Sequence, residues 1–429
     1  MVNARICGRM AGVAVVLLVP AFSFGAGFAL FEHGARGVAM AGAFGATADD
    51  PTALYYNPAG IAFLEGTQAA GGAYFIALAS DFNGTDPYPG KGYSASQKSQ
   101  VFFPPHVYLT GRLSENLRWG VALNAPFGLG TWWDDDFAGR YITKRADLKV
   151  FNLNPNLAYR LSDNAALAVG LDYYVAGIDL TRSIGVINPY TQTVAEVGQV
   201  HLYSDNNFGL GCNIAFLGKL GHGVSLGLGY RSRVKVYFEG NASFVQFPTG
   251  YNDFDAIVGR QIPFDRNPKV ESRIEFPDEI RLALGWRGVR WGVGLDVMKM
   301  GWSSFTELPI DIKEFPTLSS VRPEHYKDSL TYRLGVEYKR SATWAWQFGF
   351  LYDETPVPTE SVSPLLPDAD RIGLTIGFSK QLNEKMRLDV GYMHLDFPRR
   401  STKGKDHDNF NGTYENQAEL LGFTVVYKF

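Results

Sequence analysis

From residue 68 onward the chain consists of runs in which large apolar residues alternate one for one with small or polar residues. In 280–286, Ile280, Leu282, Leu284 and Trp286 share one face and Arg281, Ala283 and Gly285 the other; in 346–353, Trp346, Phe348, Phe350 and Tyr352 oppose Gln347, Gly349, Leu351 and Asp353. In 119–125 the outward set would be Trp119, Val121, Leu123 and Ala125. A period of two marks a strand with two unlike faces, which a soluble β-sandwich shows as well as a membrane barrel. The spacing of the runs separates these architectures. Strands read near 68–80, 101–113, 116–127, 147–161, 164–181, 207–220, 222–240, 270–287, 288–301, 328–340, 343–354, 369–382, 384–397 and 417–429. Tight turns such as Leu113 to Asn116 and Leu161 to Asn164 alternate with long polar loops at 81–100, 128–146, 182–206, 241–269, 302–327, 355–368 and 398–416. Short turns on one side and long loops on the other are the layout of an outer-membrane barrel. The expected fold is all-β: a transmembrane, antiparallel, 14-stranded β-barrel over residues 67–429, with both ends on the periplasmic side.

Composition supports a membrane wall made of strands. Aromatic residues reach 14% and glycines number 47, yet after residue 25 no stretch of 18 apolar residues occurs, which excludes helical spans. Residues 1–25 carry Arg5 and Arg9, an apolar core from Ala11 to Val19, then Pro20 with Ser23 and Gly25 before a cleavage point, the pattern of a secretory signal peptide. Cys7 lies inside that segment, so the mature chain retains Cys212 alone and can form neither an internal disulfide nor a cysteine metal cluster. With Arg5 and Arg9 removed from the 40 basic residues against 43 acidic ones, the net charge gives no sign of a nucleic-acid partner.

The segment 26–66 precedes the first strand. From Gly34 to Gly60 it reads GARGVAMAGAFGATADDPTALYYNPAG. Its first half is made of glycine and alanine, which pack backbone against backbone but bury too little area to form a core, so the segment must lie inside something else. Asp49, Asp50 and Pro51 suit the start of a short helix, and Pro58 ends it at Asn57. This stretch, with PFGLGTWWDDDFAGRY and NLNPNLAYRL further on, resembles the outer-membrane long-chain fatty-acid transporter family (FadL, OmpP1 and TodX). The resemblance implies that 26–66 is a hatch plugging the barrel and that the turn Asn57, Pro58 and Ala59 takes part in opening it. It further implies an outer-membrane location in a Gram-negative bacterium, passive transport of long-chain fatty acids or similar hydrophobic molecules, and no chemistry, nucleotide or metal. An aromatic-hydrocarbon channel of the same family is the alternative, and a structural or adhesin barrel a more distant one.

Prolines mark imperfections in the wall. Pro104 and Pro105 fall in the second strand, Pro126 at the top of the third and Pro155 in the fourth, and each removes a ladder donor. They signal either simple bulges or, as the resemblance implies, a lateral opening in the third strand, for which Asn124, Ala125 and Pro126 are the candidates. Phe127, Leu129, Trp132, Trp133 and Phe137 form an aromatic segment read either as a ligand-capture loop or as packing against neighbouring loops. Strand parity turns Arg160, Arg281, Arg333 and Lys339 inward, where each would bind a fatty carboxylate or brace the barrel by pairing with inward acids. The final strand places Leu421, Phe423, Val425, Tyr427 and Phe429 on one face, and its terminal Phe429 resembles the signal read by the barrel-assembly machinery. The histidines are scattered, and no G-x-S-x-G or H-E-x-x-H motif occurs, which weighs against an enzyme.

Overall fold

The computed structural model describes residues 27–429; the segment 1–25, expected to be a signal peptide, lies outside them. Fourteen strands close into one antiparallel barrel. The first seven are β1 (Gln68–Gly84), β2 (Gln100–Phe102 and Pro105–Arg112), β3 (Leu117–Trp132), β4 (Arg145–Ser162), β5 (Ala165–Ile187), β6 (Val194–Gly221) and β7 (Val224–Arg231 and Val234–Gln246). The second seven are β8 (Lys269–Phe276 and Glu279–Arg287), β9 (Trp291–Met300), β10 (Ser329–Ser341), β11 (Trp344–Asp353), β12 (Arg371–Gln381), β13 (Met386–Ser401) and β14 (Gly412–Lys428). Closure is by β1 against β14, in unbroken register from Gln68↔Lys428 to Gly84↔Gly412, so neither terminal strand leaves a free edge for aggregation.

Alternation on the wall agrees with the sequence pattern. Ile280, Leu282, Leu284 and Trp286 are exposed on the outer surface while Arg281 and Ala283 are buried inside. Leu421, Phe423, Val425, Tyr427 and Phe429 likewise face outward. Several strands run further than the alternation suggested: β5 reaches Ile187 and β6 begins at Val194, so the expected loop 182–206 shrinks to residues 188–193. The physical reason is that the apolar half of the pattern reports contact with lipid. Above the bilayer the ladder continues, but its outward residues no longer need to be apolar.

The predicted prolines act differently from one another. Pro104 separates the two pieces of β2, which is broken there. At Pro155 the missing donor is replaced, because the Asn154 side-chain amide donates to the Leu171 carbonyl at 2.7 Å. At Pro126 the strand bulges: Asn124 pairs with Asn152 and Phe127 with Val150, leaving Ala125 and Pro126 opposite Phe151 alone. The extra residue reverses the parity, and Ala125, expected on the outer face, is buried.

The hatch fills the lower lumen through α1 (Ala35–Ala39), α2 (Ala53–Tyr56) and a 3₁₀ turn, Pro58–Phe63. The wall receives it on a belt of glycines. Gly285, Gly294, Gly335 and Gly349 are register neighbours across β8 to β11, and Gly377, Gly391 and Gly422 across β12 to β14. A Cβ on Gly294 would lie 2.1 Å from the Ala43 carbonyl oxygen, and one on Gly391 2.4 Å from that of Ala35. Only glycine permits main chain to approach main chain so closely.

Charged and polar groups then pin the hatch. Arg36 donates to both carboxylate oxygens of Glu337 at 2.7 and 3.0 Å and also pairs with Asp49. Arg387 reaches Asp50 at 2.6 Å, and Arg287 reaches Asp49 at 2.7 Å. Asn57 caps the 3₁₀ turn by accepting from the Ala59 N–H at 3.1 Å, while its amide donates to the Phe216 carbonyl of β6 at 3.0 Å. A cap of this kind contributes about 1 kcal/mol.

Candidate functional site: an apolar path to a break in the wall

The ladder between β2 and β3 runs from Arg112↔Arg118 up to Val107↔Leu123 and stops. Above it, β3 changes partner. The Leu30 N–H donates to the Pro126 carbonyl at 2.9 Å and the Gly128 N–H to the Phe28 carbonyl at 3.0 Å, so the start of the hatch replaces β2 along this edge. The bulge at Ala125 and Pro126 is what turns the edge inward, and proline, lacking an N–H, offers nothing to β2. At the top the strands meet again where the Lys98 N–H donates to the Trp132 carbonyl at 2.7 Å.

A cavity of about 270 Å³ occupies this break, walled by Phe103 and Pro105 at the interruption of β2, Ala125 and Gly130 of β3, and Leu395 and Leu420 beyond. A smaller cavity of about 40 Å³ adjoins it and shares Phe28, Leu129, Asp147, Leu148 and Leu366. An outer groove of about 290 Å³ continues the line and shares Leu180, Leu308 and Leu365 with that smaller cavity. The three follow one another from the extracellular loops to the side of the barrel, each sharing lining residues with the next. Phe28 stands at the narrowest part of this path, edge-on to Trp302 at 4.6 Å and Phe305 at 5.6 Å.

Charged side chains border all three cavities, among them Glu32, Asp147, Lys149, Asp368 and Arg371 at the break. The outer groove contains Arg182, which has no hydrogen-bond or ion-pair partner among the described residues, and Arg322, held bidentately by Asp408 at 2.8 and 2.9 Å. Glu324, in the loop between β9 and β10, lies 3.0 Å from Arg322 and borders the smaller cavity. Burial, opposed by Arg322, raises its pKa from 4.5 to about 7. A raised carboxyl favours packing in its neutral form: the contribution is complete below about 4.5 and is lost as pH rises through about 7. Limited proteolysis of loop 301–328 is therefore expected to be slower at pH 5 than at pH 8, and Glu324→Gln to remove that difference.

The structure redistributes the residues singled out from sequence. Asn124, Ala125 and Pro126 sit at the lower lip of the break. Asn57, Pro58 and Ala59 are buried, and none of them borders the three cavities, which the hatch touches only at Gly27 to Leu30 and Glu32. Phe127 and Leu129 line the path. Trp133 and Phe137 do not offer a capture surface: they are buried, stacked on each other at 4.3 Å, and packed among loop aromatics including Phe410. Of the five, Trp132 alone is exposed, between Lys98 and Arg145.

The four inward cations stand away from these cavities. Arg281 pairs with Glu279 and Asp296, and Arg333 packs over Phe31 and donates to the Ala41 carbonyl. Arg160 lies next to the turn after β4, 3.4 Å from Asn116, and Lys339 is exposed beside the tight turn after β10 on the same rim. None of the four lines the path. Sequence parity could find inward cations but not their height in the lumen, and so missed Arg182, Arg322 and Arg371.

A plugged lumen, outward loops and a row of cavities beside a gap in the ladder fit a transport channel rather than an enzyme or an open pore. The family model described as outer membrane protein transport protein (OMPP1/FadL/TodX) matches residues 16–429, and the chain belongs to this family of Gram-negative outer-membrane proteins. It is 26% identical over 445 residues to the long-chain fatty acid transport protein of Escherichia coli O6:H1, covering 98% of each chain. Its fold matches a Pseudomonas aeruginosa FadL homologue with a TM-score of 0.83 at 19% identity, over 94% of this chain and 100% of the other. The toluene transporter TodX of P. putida matches with a TM-score of 0.71 at 17% identity, over 93% and 98%.

Proposed function

We propose that the protein carries long-chain fatty acids passively across the outer membrane and releases them sideways through the break between β2 and β3. The observation that carries this reading is the unbroken sharing of walls from outer groove to wall cavity. An acyl chain settles on Leu180, Val200 and Leu202 with its carboxylate against Arg182. Moving inward, it displaces Phe28 to Leu30, and the hatch gives way about its Asn57 to Ala59 turn. Freed from the hatch, the edge of β3 opens onto lipid. No energy source is required, because the bilayer buries each methylene with a gain of about 0.8 kcal/mol relative to water. The exposed face ending at Phe429 suits delivery of the nascent barrel to an assembly machinery.

A second reading, uptake of aromatic hydrocarbons, is favoured by the apolar walls of the cavities but leaves Arg182 without a use. Uptake of oleate and toluene by cells carrying the protein separates them, with Arg182→Gln, Asn57→Ala and a deletion of residues 27–66 in parallel. Oleate uptake reduced severalfold by Arg182→Gln, with toluene unaffected, supports the fatty-acid channel. Toluene uptake alone, indifferent to Arg182, changes the substrate class. Uptake of neither, unchanged by the deletion, overturns transport and leaves a structural barrel.

A further inference from the structure

On the lipid-facing wall, far around the barrel from the break, β9 to β12 build a second recess. Trp291, Tyr338, Trp346, Phe348 and Ile376 line a shallow groove of about 360 Å³. It lies in the periplasmic half, since Trp291 and Tyr338 are register partners next to the tight turn between β8 and β9, and Tyr338 is opposite Trp346. Immediately below it Trp344 stacks on Phe378 at 5.0 Å with the rings 5° from parallel, and the Lys380 ammonium stands 5.1 Å from the Trp344 ring.

Two features exceed what an aromatic girdle requires. The Trp344 indole N–H is buried and has no hydrogen-bond partner among the described residues, although an indole at a membrane interface ordinarily finds one. Beneath the groove, Arg340 and Lys380 have no carboxylate within 4.0 Å among the described residues, and the same holds for Arg290 and Lys385 on the flanking turns. Glu384 is the acid in those turns. An apolar slot in the bilayer, an unmatched N–H donor at its foot and unpaired cations just beyond are together complementary to one kind of molecule: an acyl chain joined to a negatively charged headgroup.

We propose that this face binds an anionic glycerophospholipid of the periplasmic leaflet. One acyl chain lies in the groove, and the phosphate is held by Lys380 and Arg340, with the Trp344 N–H joining them once its ring turns outward. The site is separate from the transport path, so neither stands or falls with the other.

The test is native mass spectrometry of the full mature protein in detergent, titrated with phosphatidylglycerol or phosphatidylcholine of the same chains. Folding of every variant is checked by the heat-dependent shift in gel mobility of an intact barrel. Phosphatidylglycerol is expected to bind at least tenfold more tightly than phosphatidylcholine. Arg340→Gln with Lys380→Gln should erase the preference, Trp344→Phe should weaken it severalfold while keeping the ring, and Arg112→Gln at a distant turn should leave it intact. Equal binding of the two lipids overturns the proposal, as does a preference that survives in the double variant. A dimer mass in place of lipid adducts also overturns it, assigning the face to a second copy of the chain.

Discussion

Deleting Ala125 while replacing Pro126 by valine is expected to cut fatty-acid uptake at least tenfold and leave binding at the outer groove unchanged. Ala125 and Pro126 stand opposite Phe151 alone, so removing one residue restores one-for-one pairing without moving Phe127 from its partner Val150. Parity is restored as well, because Asn124 and Phe127 both face inward and one residue between them makes a regular strand. The new valine supplies the N–H that Pro126 lacks, and β3 can continue its ladder with β2 above Val107↔Leu123. The break then narrows to the stretch of β2 that Pro104 interrupts. Uptake in cells is compared with binding of a fluorescent fatty acid to the purified protein. Binding retained with uptake lost is the expected pair of results. Uptake at the unaltered rate would mean that the ligand leaves past the hatch into the periplasm, and the lateral route would be abandoned.

Arg36→Ala is expected to undock the hatch while leaving the barrel folded. Arg36 is buried, and its loss leaves Glu337, itself buried, with a neutral hydrogen bond from Gln347 at 3.1 Å as its remaining partner. Breaking a buried ion pair from one side costs on the order of 3–5 kcal/mol. That cost falls on hatch docking, because the fourteen-strand ladder does not pass through Arg36. Ion conductance in planar bilayers should rise, and proteolysis within 27–66 should accelerate roughly a hundredfold or more, while heat-dependent gel mobility is unchanged. Unaltered conductance together with unaltered proteolysis would show that the main-chain contacts hold the hatch unaided.

Much of this architecture was legible in the sequence, for a physical reason. Lipid contact forces alternation, and tight turns allow few residues, so strand number, direction and closure could be read from spacing. The same reason explains the errors. Once β5 and β6 rise above the bilayer, alternation ceases to be required, and the expected loop 182–206 proved to be largely strand. Proline showed where the wall is irregular but not how the strand responds: at Pro155 a neighbouring asparagine restores the lost bond, whereas at Pro126 the strand turns to the hatch. Trp133 and Phe137 looked like a binding surface because sequence gives no account of which loops cover one another. Inward arginines were identifiable as inward, but whether one stands on the path depends on its height in the lumen. Asn57 was noticed for its turn, yet Phe28, at the constriction, carries no motif at all.

The belt of glycines that receives the hatch decides which half of such a channel is free to diversify. At that level wall and plug meet through peptide groups, with Ala43 and Ala35 against Gly294 and Gly391. Recognition there reads the thickness of a bare chain and is indifferent to most side-chain chemistry. The cavities above are lined by side chains that can each be exchanged. A lineage built on this plan can retune its cargo residue by residue in the upper half, while the lower half stays fixed as a common fitting. Grafting the loops and upper strands of one relative onto the plug and lower wall of another should therefore give a working, closed channel with the donor's preference.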